Sequence, residues 1–262
     1  MLPARLSPSR PSRTRSTEED TPLSPGVAHF LVAVEKYVLP LVFAILAWFR
    51  FQYLRNQYTA WRSIQSHPAL RAILPGTFFA DTTRQLLIFT LLAFSAVTLL
   101  FNRPAVTLPD KLKHVMVPLA ASYYVALYAA IHYFPPWMRV SLLPDGLRGP
   151  AAVVGLGLSI AGYAIAIWAL IYLRRSFALF VSVRDVVTRG PYRLVQHPIY
   201  SGYLLDAAGL LLASGSIAML ILCAAHITLV VIRARMEEEM LAAADPAYRD
   251  YFGRTGAFFP RI

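Results

Sequence analysis

The chain has 262 residues, of which 57% are apolar and only 15% are charged. An average soluble domain carries about 25% charged residues, so this composition argues against a soluble globular enzyme and against a disordered protein. The formal net charge of +11 would point to nucleic acid in a soluble protein. Here we attribute the charge to arginines that flank membrane segments and expect no nucleic-acid partner.

The first 26 residues are rich in Ser, Pro, Thr and Arg. We expect residues 1–26 to be a disordered basic tail that lies near anionic membrane lipids. No compact apolar core with a small-residue cleavage site follows at the right distance, so the sequence does not predict a signal peptide.

Six apolar segments come next, and a membrane span needs about 20 such residues. The first contains Pro40, with Glu35 and Lys36 near its start, which makes it the weakest, and the last two are short. The sequence therefore predicts an all-α, polytopic integral membrane protein with about six (five to six) transmembrane helices. The segments are 31–49, 85–101, 115–134, 151–173, 199–213 and 215–232.

Only the short run 213–216 (Ala-Ser-Gly-Ser) separates the last two segments. So tight a link predicts an antiparallel helical hairpin at the C-terminal end of the bundle.

Lysine and arginine counts predict the orientation, because positively charged loops remain in the cytoplasm. Most of the positive charge lies on one side of the predicted topology. That side contains the tail, segments 102–114 and 174–198, and the part from residue 233 onward. We predict that both termini and the polar clusters described next are cytoplasmic. Segment 50–84 carries five arginines on the other side; we expect its helix, Phe51 to His67, to lie in the membrane interface unless the first segment is not a true span.

The densest polar stretch covers residues 184–202. Pro198 suits the first turn of a helix, which places His197 at the helix N-terminus, where free backbone N–H groups attract an anionic group. Tyr200 and Tyr203 are three residues apart and so share one helix face.

A second polar stretch covers residues 233–251. Arg233 and Glu237 are four residues apart on one helix, and His226 lies within about 20° of the same face at 100° per residue. Ionisable residues inside a membrane span mark function. Asp206 on the preceding helix is a further buried candidate whose partner the sequence does not reveal. Taken alone, His226 is better explained as a histidine bonded between helices.

Several common chemistries have no motif in this sequence. Phosphate-binding loops, His-Glu-x-x-His and Gly-x-Ser-x-Gly do not occur, and the six histidines lack metal-ligand spacing. We therefore predict no metal site. The single cysteine, Cys223, can form neither an intrachain disulfide nor a cysteine metal cluster.

The two polar stretches together resemble the isoprenylcysteine carboxyl methyltransferase family, whose wider group includes phospholipid N-methyltransferases. The resemblance covers about residues 170–262, and the ordered set of motifs is far more specific than any one of them. One departure is Gln196, where the family usually has arginine before His-Pro. The matching motifs are Gly190–Tyr192, Gln196–Gly202, Arg233–Glu238, the pair Tyr248 and Tyr251, and Pro260.

The resemblance implies a membrane enzyme that uses S-adenosylmethionine from a cytoplasmic cofactor pocket. Arg233 matches the family arginine at the acceptor carboxylate, so we predict Arg233 and Glu237 as catalytic and Arg233 with His226 as acceptor-binding. The implied cofactor-binding residues are Arg184, Asp185, Val186, Val187, Tyr192, His197, Pro198, Ile199, Tyr200 and Glu237.

The residue types also suit this chemistry by themselves. Methyl transfer from a sulfonium is an in-line displacement without a metal, and positioning the reactants can contribute roughly 7–11 kcal/mol. A carboxylate acceptor is already nucleophilic at neutral pH and needs a cation such as Arg233 to hold it, whereas an amine acceptor needs a base.

These observations divide the chain into a tail (1–26), N-terminal transmembrane helices that form the acceptor side (27–150), and a methyltransferase core with the hairpin and a cytoplasmic C-terminal tail (151–262). The expected reaction is carboxyl O-methylation of an isoprenylcysteine-like or other lipophilic acceptor from the bilayer. N-methylation of a phospholipid and S-methylation of a small thiol remain alternatives in the same fold. A transporter or a scaffold is the alternative of another class, and transport sites usually lie near the membrane midplane.

Overall fold

The computed structural model describes residues 22–66, 78–105, 108–122, 130–184, 187–244 and 247–261, and in this part of the chain β-pairing is limited to two isolated bridges. The all-α prediction is confirmed. Three short 3-10 turns, Ala130–Tyr133, Arg174–Ser176 and Gly190–Arg193, lie between helices. The helices are α1 (Pro25–Tyr37), α2 (Leu39–Gln65), α3 (Phe78–Leu100), α4 (Lys113–Ser122), α5 (Pro136–Arg139), α6 (Asp145–Leu173), α7 (Pro198–Ser214), α8 (Ile217–Ala244) and α9 (Ala247–Arg254).

Four helical segments among the described residues are long and apolar enough to cross a membrane, compared with the five to six predicted for the whole chain. α7 has only 17 residues, and the predicted third span is described only up to Ser122 and again from residue 130. The four candidate spans are Pro25–Gln65, Phe78–Leu100, Asp145–Ser176 and Ile217–Ala244.

Three predicted boundaries are wrong. Residues 31–49 and the helix expected from Phe51 do not form separate elements, because α2 continues without a break from Leu39 to Gln65. The chain instead changes helix at Val38, so that Pro40 occupies the first turn of α2, where proline is tolerated. α1 begins at Pro25 with Ser24 as its N-cap, within the range 1–26 predicted as a disordered tail, and residues 1–21 of that range lie outside the described residues.

The last predicted segment, expected to be short and to end at residue 232, is the 28-residue helix α8. Its extension to Ala244 consists mainly of Arg, Met, Glu, Leu and Ala, which favour helix.

Two pairs of glycines bring α6 and α7 into close contact. Gly155 lies opposite Gly209, and Gly162 lies opposite Gly202. A Cβ atom added at Gly162 would lie 2.4 Å from the carbonyl oxygen of Gly202, and the reverse substitution gives the same distance. Small residues at such crossings let two backbones approach closely, and this contact fixes the N-terminal end of α7 against α6.

α7 and α8 form the predicted antiparallel hairpin. Gly215 ends α7 in the left-handed region (φ 59°), and its N–H donates to the Leu211 carbonyl at 2.7 Å. Further along the pair, Cys223 Sγ donates to the Ala207 carbonyl at 3.3 Å.

Loops that are distant in sequence meet at the open end of this hairpin. Arg103 N donates to Arg175 O at 2.8 Å, and Val181 N donates to His114 O at 3.0 Å. His197 there contacts Glu238 of α8. We call this region, formed by the described residues within 102–114, 174–197 and 233–258, the polar end of the bundle.

Candidate functional site

A cavity at the polar end is lined both by polar residues and by apolar residues from the N-terminal helices. His197, Tyr200, Arg233 and Glu237 contribute its polar wall. Phe43 of α2 with Ile88, Leu91 and Leu92 of α3 contribute an apolar wall. The N-terminal and C-terminal parts of the chain therefore build the cavity together.

Glu237 is the centre of the polar wall. Its Oε1 accepts hydrogen bonds from the Tyr200 hydroxyl at 2.5 Å and from Arg233 Nε at 3.0 Å. Its Oε2 lies 3.7 Å from Nδ1 of His197. Because the two close donors both use Oε1, Oε2 can accept from a ligand, and the side chain is 24% exposed.

His197 lies between two carboxylates. Its Nε2 is 2.9 Å from Glu238 Oε1, and its ring stacks on Tyr200 with the centroids 5.3 Å apart. It is the N-cap of α7, with Pro198 in the first turn, as the sequence predicted. No role was predicted for Glu238, although it belongs to the same Arg233–Glu238 motif.

Arg233 is buried and held by four hydrogen bonds. Nε donates to Glu237, Nη1 donates to Ser122 Oγ at 2.7 Å, and Nη2 donates to the carbonyls of Leu179 (2.9 Å) and Ala178 (3.4 Å). An arginine has five N–H groups, so one on Nη1 can still bind a ligand. Its guanidinium also lies 5.2 Å from the ring centre of Tyr200, and together these contacts fix its orientation.

Glu35 on α1 holds the loop that passes through the cavity wall. It is fully buried and accepts hydrogen bonds from Leu179 N at 2.5 Å, Phe180 N at 3.0 Å and Arg184 Nη2 at 3.0 Å. From the sequence, Glu35 was expected only to make the first segment a weaker candidate span. Its partners lie 144 to 149 residues away along the chain, and no local pattern could have revealed them.

Arg184 lines the cavity, but protein groups bind its guanidinium on all three nitrogens. Besides the pair with Glu35, Nε donates to the Arg103 carbonyl and Nη1 donates to Ser182 Oγ, each at 2.9 Å. Its assignment to the cofactor stays a prediction.

Of the other predicted site residues that the structure describes, four line the cavity and two do not. Val187, Tyr192, Ile199 and Tyr200 line it, whereas Pro198 is buried in the first turn of α7 and His226 is buried against the Tyr203 ring. Asp185 and Val186 lie outside the described residues. The structure thus brings most of the predicted set together around Glu237.

Tyr192 and Tyr251 close one side of the cavity. The Tyr251 hydroxyl donates to the Tyr192 carbonyl at 2.6 Å. Burial, with the negative charge of Glu237 nearby, raises the pKa of the Tyr192 hydroxyl above its usual value. Burial likewise raises the pKa of Tyr251 to about 12. Both phenols are therefore neutral at physiological pH.

Gln196, the departure from the family pattern, fastens the C-terminal segment. Its Nε2 donates to the carbonyls of Thr255 (2.7 Å) and Phe252 (3.2 Å), and its backbone N–H donates to Gly256 O at 2.9 Å. The amide therefore has a local structural use at the edge of the cavity.

The structure also supplies the partners of Asp206. The Tyr163 hydroxyl donates to Asp206 Oδ2 at 2.9 Å, and Arg84 Nη2 of α3 lies 3.4 Å from Oδ1. Since Tyr163 lines the cavity, this buried cluster supports its wall from behind.

These features define a helical bundle of membrane-spanning type with a polar cavity at the mouth of a C-terminal hairpin. Residues 150–244 match the family model of phospholipid methyltransferases. This match spans α6 to the end of α8 and supports the resemblance to methyltransferases seen in the sequence.

Two curated relatives each match over part of their length. The cobalt-zinc-cadmium resistance protein CzcN of Cupriavidus metallidurans is 39% identical over 89 residues, which cover 32% of this chain and 41% of the relative. The nickel-cobalt-cadmium resistance protein NccN of Alcaligenes xylosoxydans xylosoxydans is 31% identical over 130 residues, which cover 48% and 53%. The chain thus spans about half or less of the length of these relatives.

Among solved structures, the chain is similar to that of the eukaryotic intramembrane Ras methyltransferase ICMT (isoprenylcysteine carboxyl methyltransferase), in the structure that contains no monobody. The alignment has 18% sequence identity and a TM-score of 0.38, and it covers 92% of this chain and 99% of the other. At that TM-score the two overall folds are only loosely alike.

Proposed function

We propose that this protein is a membrane-embedded, S-adenosylmethionine-dependent methyltransferase that acts on a lipophilic acceptor, with carboxyl O-methylation of an isoprenylcysteine-like molecule as the first candidate reaction. The observation that carries the proposal is that Glu237 and Arg233 line the same cavity as the apolar residues Phe43, Ile88 and Leu91. A polar methyl donor and an apolar acceptor can meet in such a space.

The polar wall fits the cofactor. Glu237 Oε2 can accept from the amino group or the ribose hydroxyls, and Val187 and Ile199 offer apolar contacts. The Tyr200 ring already lies against Arg233 and His197, so of the two motif tyrosines, Tyr192 and Tyr200, we assign Tyr192 as the aromatic partner for the sulfonium. Bound S-adenosylmethionine supplies an electrophilic methyl group, and the surrounding side chains align donor and acceptor and exclude water.

Arg233 suits a carboxylate acceptor. Its fixed guanidinium can hold one carboxylate oxygen through the remaining N–H on Nη1, so the attacking oxygen is positioned without a proton transfer. An amine acceptor would instead have to lose a proton to a base, for which Glu237 Oε2 is the nearest candidate. The description of the matched family supports this N-methylation as the second candidate reaction, and S-methylation of a small thiol is the third.

The names of the two relatives support a further candidate, a contribution to cobalt, zinc, nickel or cadmium resistance. In the described part of the chain, no group of three or more His, Cys, Asp or Glu side chains could hold a metal ion. Metal tolerance of cells that express the wild type or Glu237→Ala tests this candidate. Equal tolerance in both would show that any role in metal resistance does not depend on Glu237.

Calorimetric binding of S-adenosylhomocysteine to the detergent-purified protein tests the proposed cofactor. We expect micromolar binding that Glu237→Ala weakens at least tenfold, about 1.4 kcal/mol. Glu239→Ala is the matched control, because Glu239 is on the same helix and exposed. A folded wild type that does not bind would contradict the proposal and favour the transporter or scaffold alternative.

A further inference from the structure

A second pocket at the polar end is lined by four arginines. They come from the segments that follow α3 and α6 and from the loop before α7, and no acidic residue is among the described residues that line the pocket. The arginines are Arg103, Arg174, Arg175 and Arg189, and the other lining residues are Ile171, Tyr172, Leu173, Ser176, Val187 and Thr188. We call this site the arginine pocket.

Capping of the helix ends explains only part of this charge. Arg175 Nε donates to the Phe101 carbonyl at 2.9 Å, beyond the last turn of α3, and Arg174 Nε donates to the Ile171 carbonyl at 3.3 Å in the last turn of α6. Cations near helix C-termini are favourable for this reason. Each of these bonds uses Nε, whereas the terminal amino groups of a guanidinium are those that pair side by side with phosphate oxygens.

Arg174 also has an unfavourable backbone conformation. With φ 46° and ψ −120° it is the sole residue other than glycine with positive φ in the described part of the chain. These angles are close to those of the first central residue of a type II′ turn, where glycine is usual. An arginine at a position that suits glycine indicates that its charge has a use there.

The surroundings of the arginine pocket match a lipid. α3 and α6 are candidate membrane spans that both end here, so the arginines lie at the boundary of the apolar bundle surface. Apolar side chains on the same helix ends are exposed: Leu100 by 45%, Phe101 by 58% and Ile171 by 44%. A molecule with an anionic head and an apolar chain can therefore contact both surfaces at once.

We infer that the arginine pocket binds a phosphate group, carried by the headgroup of an anionic membrane lipid. Basic pockets between membrane helices are suited to such headgroups, and arginine binds phosphate through paired N–H groups. Free phosphate shares the same chemistry and is the other source of the ligand. The arginine pocket shares Leu173, Ser176 and Val187 with the wall of the larger cavity but does not include Glu237, and the proposed lipid binding involves neither cofactor nor methyl acceptor.

Native mass spectrometry of the detergent-purified chain with phosphatidylglycerol or phosphatidylcholine tests this inference. We expect the wild type to bind phosphatidylglycerol at least tenfold more tightly than phosphatidylcholine. Arg174→Gln combined with Arg175→Gln should weaken that binding at least tenfold. Arg193→Gln combined with Arg254→Gln removes the same charge from exposed positions at the same end and should change it less than twofold.

Inorganic phosphate distinguishes the two sources. Lipid binding that persists in millimolar phosphate assigns the site to a headgroup, and displacement by micromolar phosphate assigns it to free phosphate. Thermal unfolding checks that each variant is folded. If the first double variant does not fold, Arg189→Gln, which is in the exposed loop, replaces it. An equal effect of the test and control variants, or no effect in either, would overturn the inference.

Discussion

Glu35 and Arg233 bind opposite ends of the same residue, Leu179. Glu35 accepts the Leu179 N–H at 2.5 Å, and Arg233 donates to the Leu179 carbonyl at 2.9 Å. One side chain comes from α1 and the other from α8, so the loop that contains Leu179 is held between the first helix and α8. Replacing Glu35 should therefore also disturb the hydrogen bond between Arg233 and the Leu179 carbonyl, although Glu35 and Arg233 are linked only through Leu179.

Replacing Glu35 by Gln should strongly destabilise the protein. The change keeps the shape but leaves Arg184, whose side chain is 2% exposed, without its counter-charge. Removing one partner of a buried ion pair costs about 3–5 kcal/mol. Thermal unfolding in detergent measures the effect. Glu239→Gln, at an exposed position, should shift the midpoint little, and a Glu35→Gln protein as stable as that control would contradict the role of Glu35 in holding this loop.

Gly162→Ala should loosen the contact between α6 and α7. The new Cβ would lie 2.4 Å from the Gly202 carbonyl oxygen, and because that atom belongs to the backbone, the helices must move apart. Overpacking of this kind costs typically about 1–3 kcal/mol. Gly157→Ala is the matched control on the same helix, since its Cβ would meet no atom within 4 Å. Equal unfolding midpoints for both variants would refute the close approach.

The C-terminal hairpin and the grouping of Arg233 with Glu237 could be predicted from the sequence because they depend on local rules. A tight Gly-Ser link between apolar runs gives a hairpin, and a spacing of four residues on one helix gives a shared face. Local rules also placed His197 at the start of a helix and Tyr200 on its face, and the resemblance assigned both to the cofactor. The structure places both beside Glu237.

The partners of Asp206 and Glu35 could not be predicted, because they depend on packing between distant segments. Asp206 contacts Arg84, which lies 122 residues earlier in the chain. Glu35 contacts backbone N–H groups, which every residue except proline has, so no residue type indicates them. The described residues contain four candidate spans, and the predicted third span lies partly outside them. Apolar runs show which residues avoid water, but not whether a short helix such as α7 is shielded by its neighbours.

Alkaline pH should destabilise the protein partly through Tyr251. Its pKa is raised to about 12 by burial, compared with about 10 for an exposed tyrosine. Between these two values the unfolded chain loses the phenolic proton while the folded protein keeps it, so stability falls as pH rises.

Tyr251→Phe tests this pH dependence. The variant should unfold at a lower temperature than the wild type at pH 8, because it lacks the hydrogen bond to Tyr192. The difference between the two melting temperatures should shrink as pH rises from 10 to 11.5. Tyr133→Phe, at a position that is 91% exposed, should leave the wild-type profile unchanged, and a constant difference for Tyr251→Phe would disprove the role of its hydroxyl.

Arg174→Gly should make the protein more stable and its lipid binding weaker. Glycine removes the steric penalty of positive φ, about 1–3 kcal/mol, and loses about 0.5–1 kcal/mol through its freer unfolded chain. We expect a net gain of about 1 kcal/mol in thermal unfolding and at least tenfold weaker binding of phosphatidylglycerol. Arg193→Gly, at an ordinary backbone position, should give no gain. A less stable Arg174→Gly protein would contradict the strain.

The segment from Gly256 to Phe258 is bonded to the start of α7: Gln196 N donates to Gly256 O, His197 N to Ala257 O, and Ser201 Oγ to Phe258 O. All four candidate spans precede this segment in the chain, so a ribosome makes them before it makes the residues that hold the start of α7. A chain that stops ahead of Gly256 would therefore contain every candidate span but lack the three bonds that fasten Gln196, His197 and Ser201. A tag placed after Phe258 would report only molecules that carry this segment.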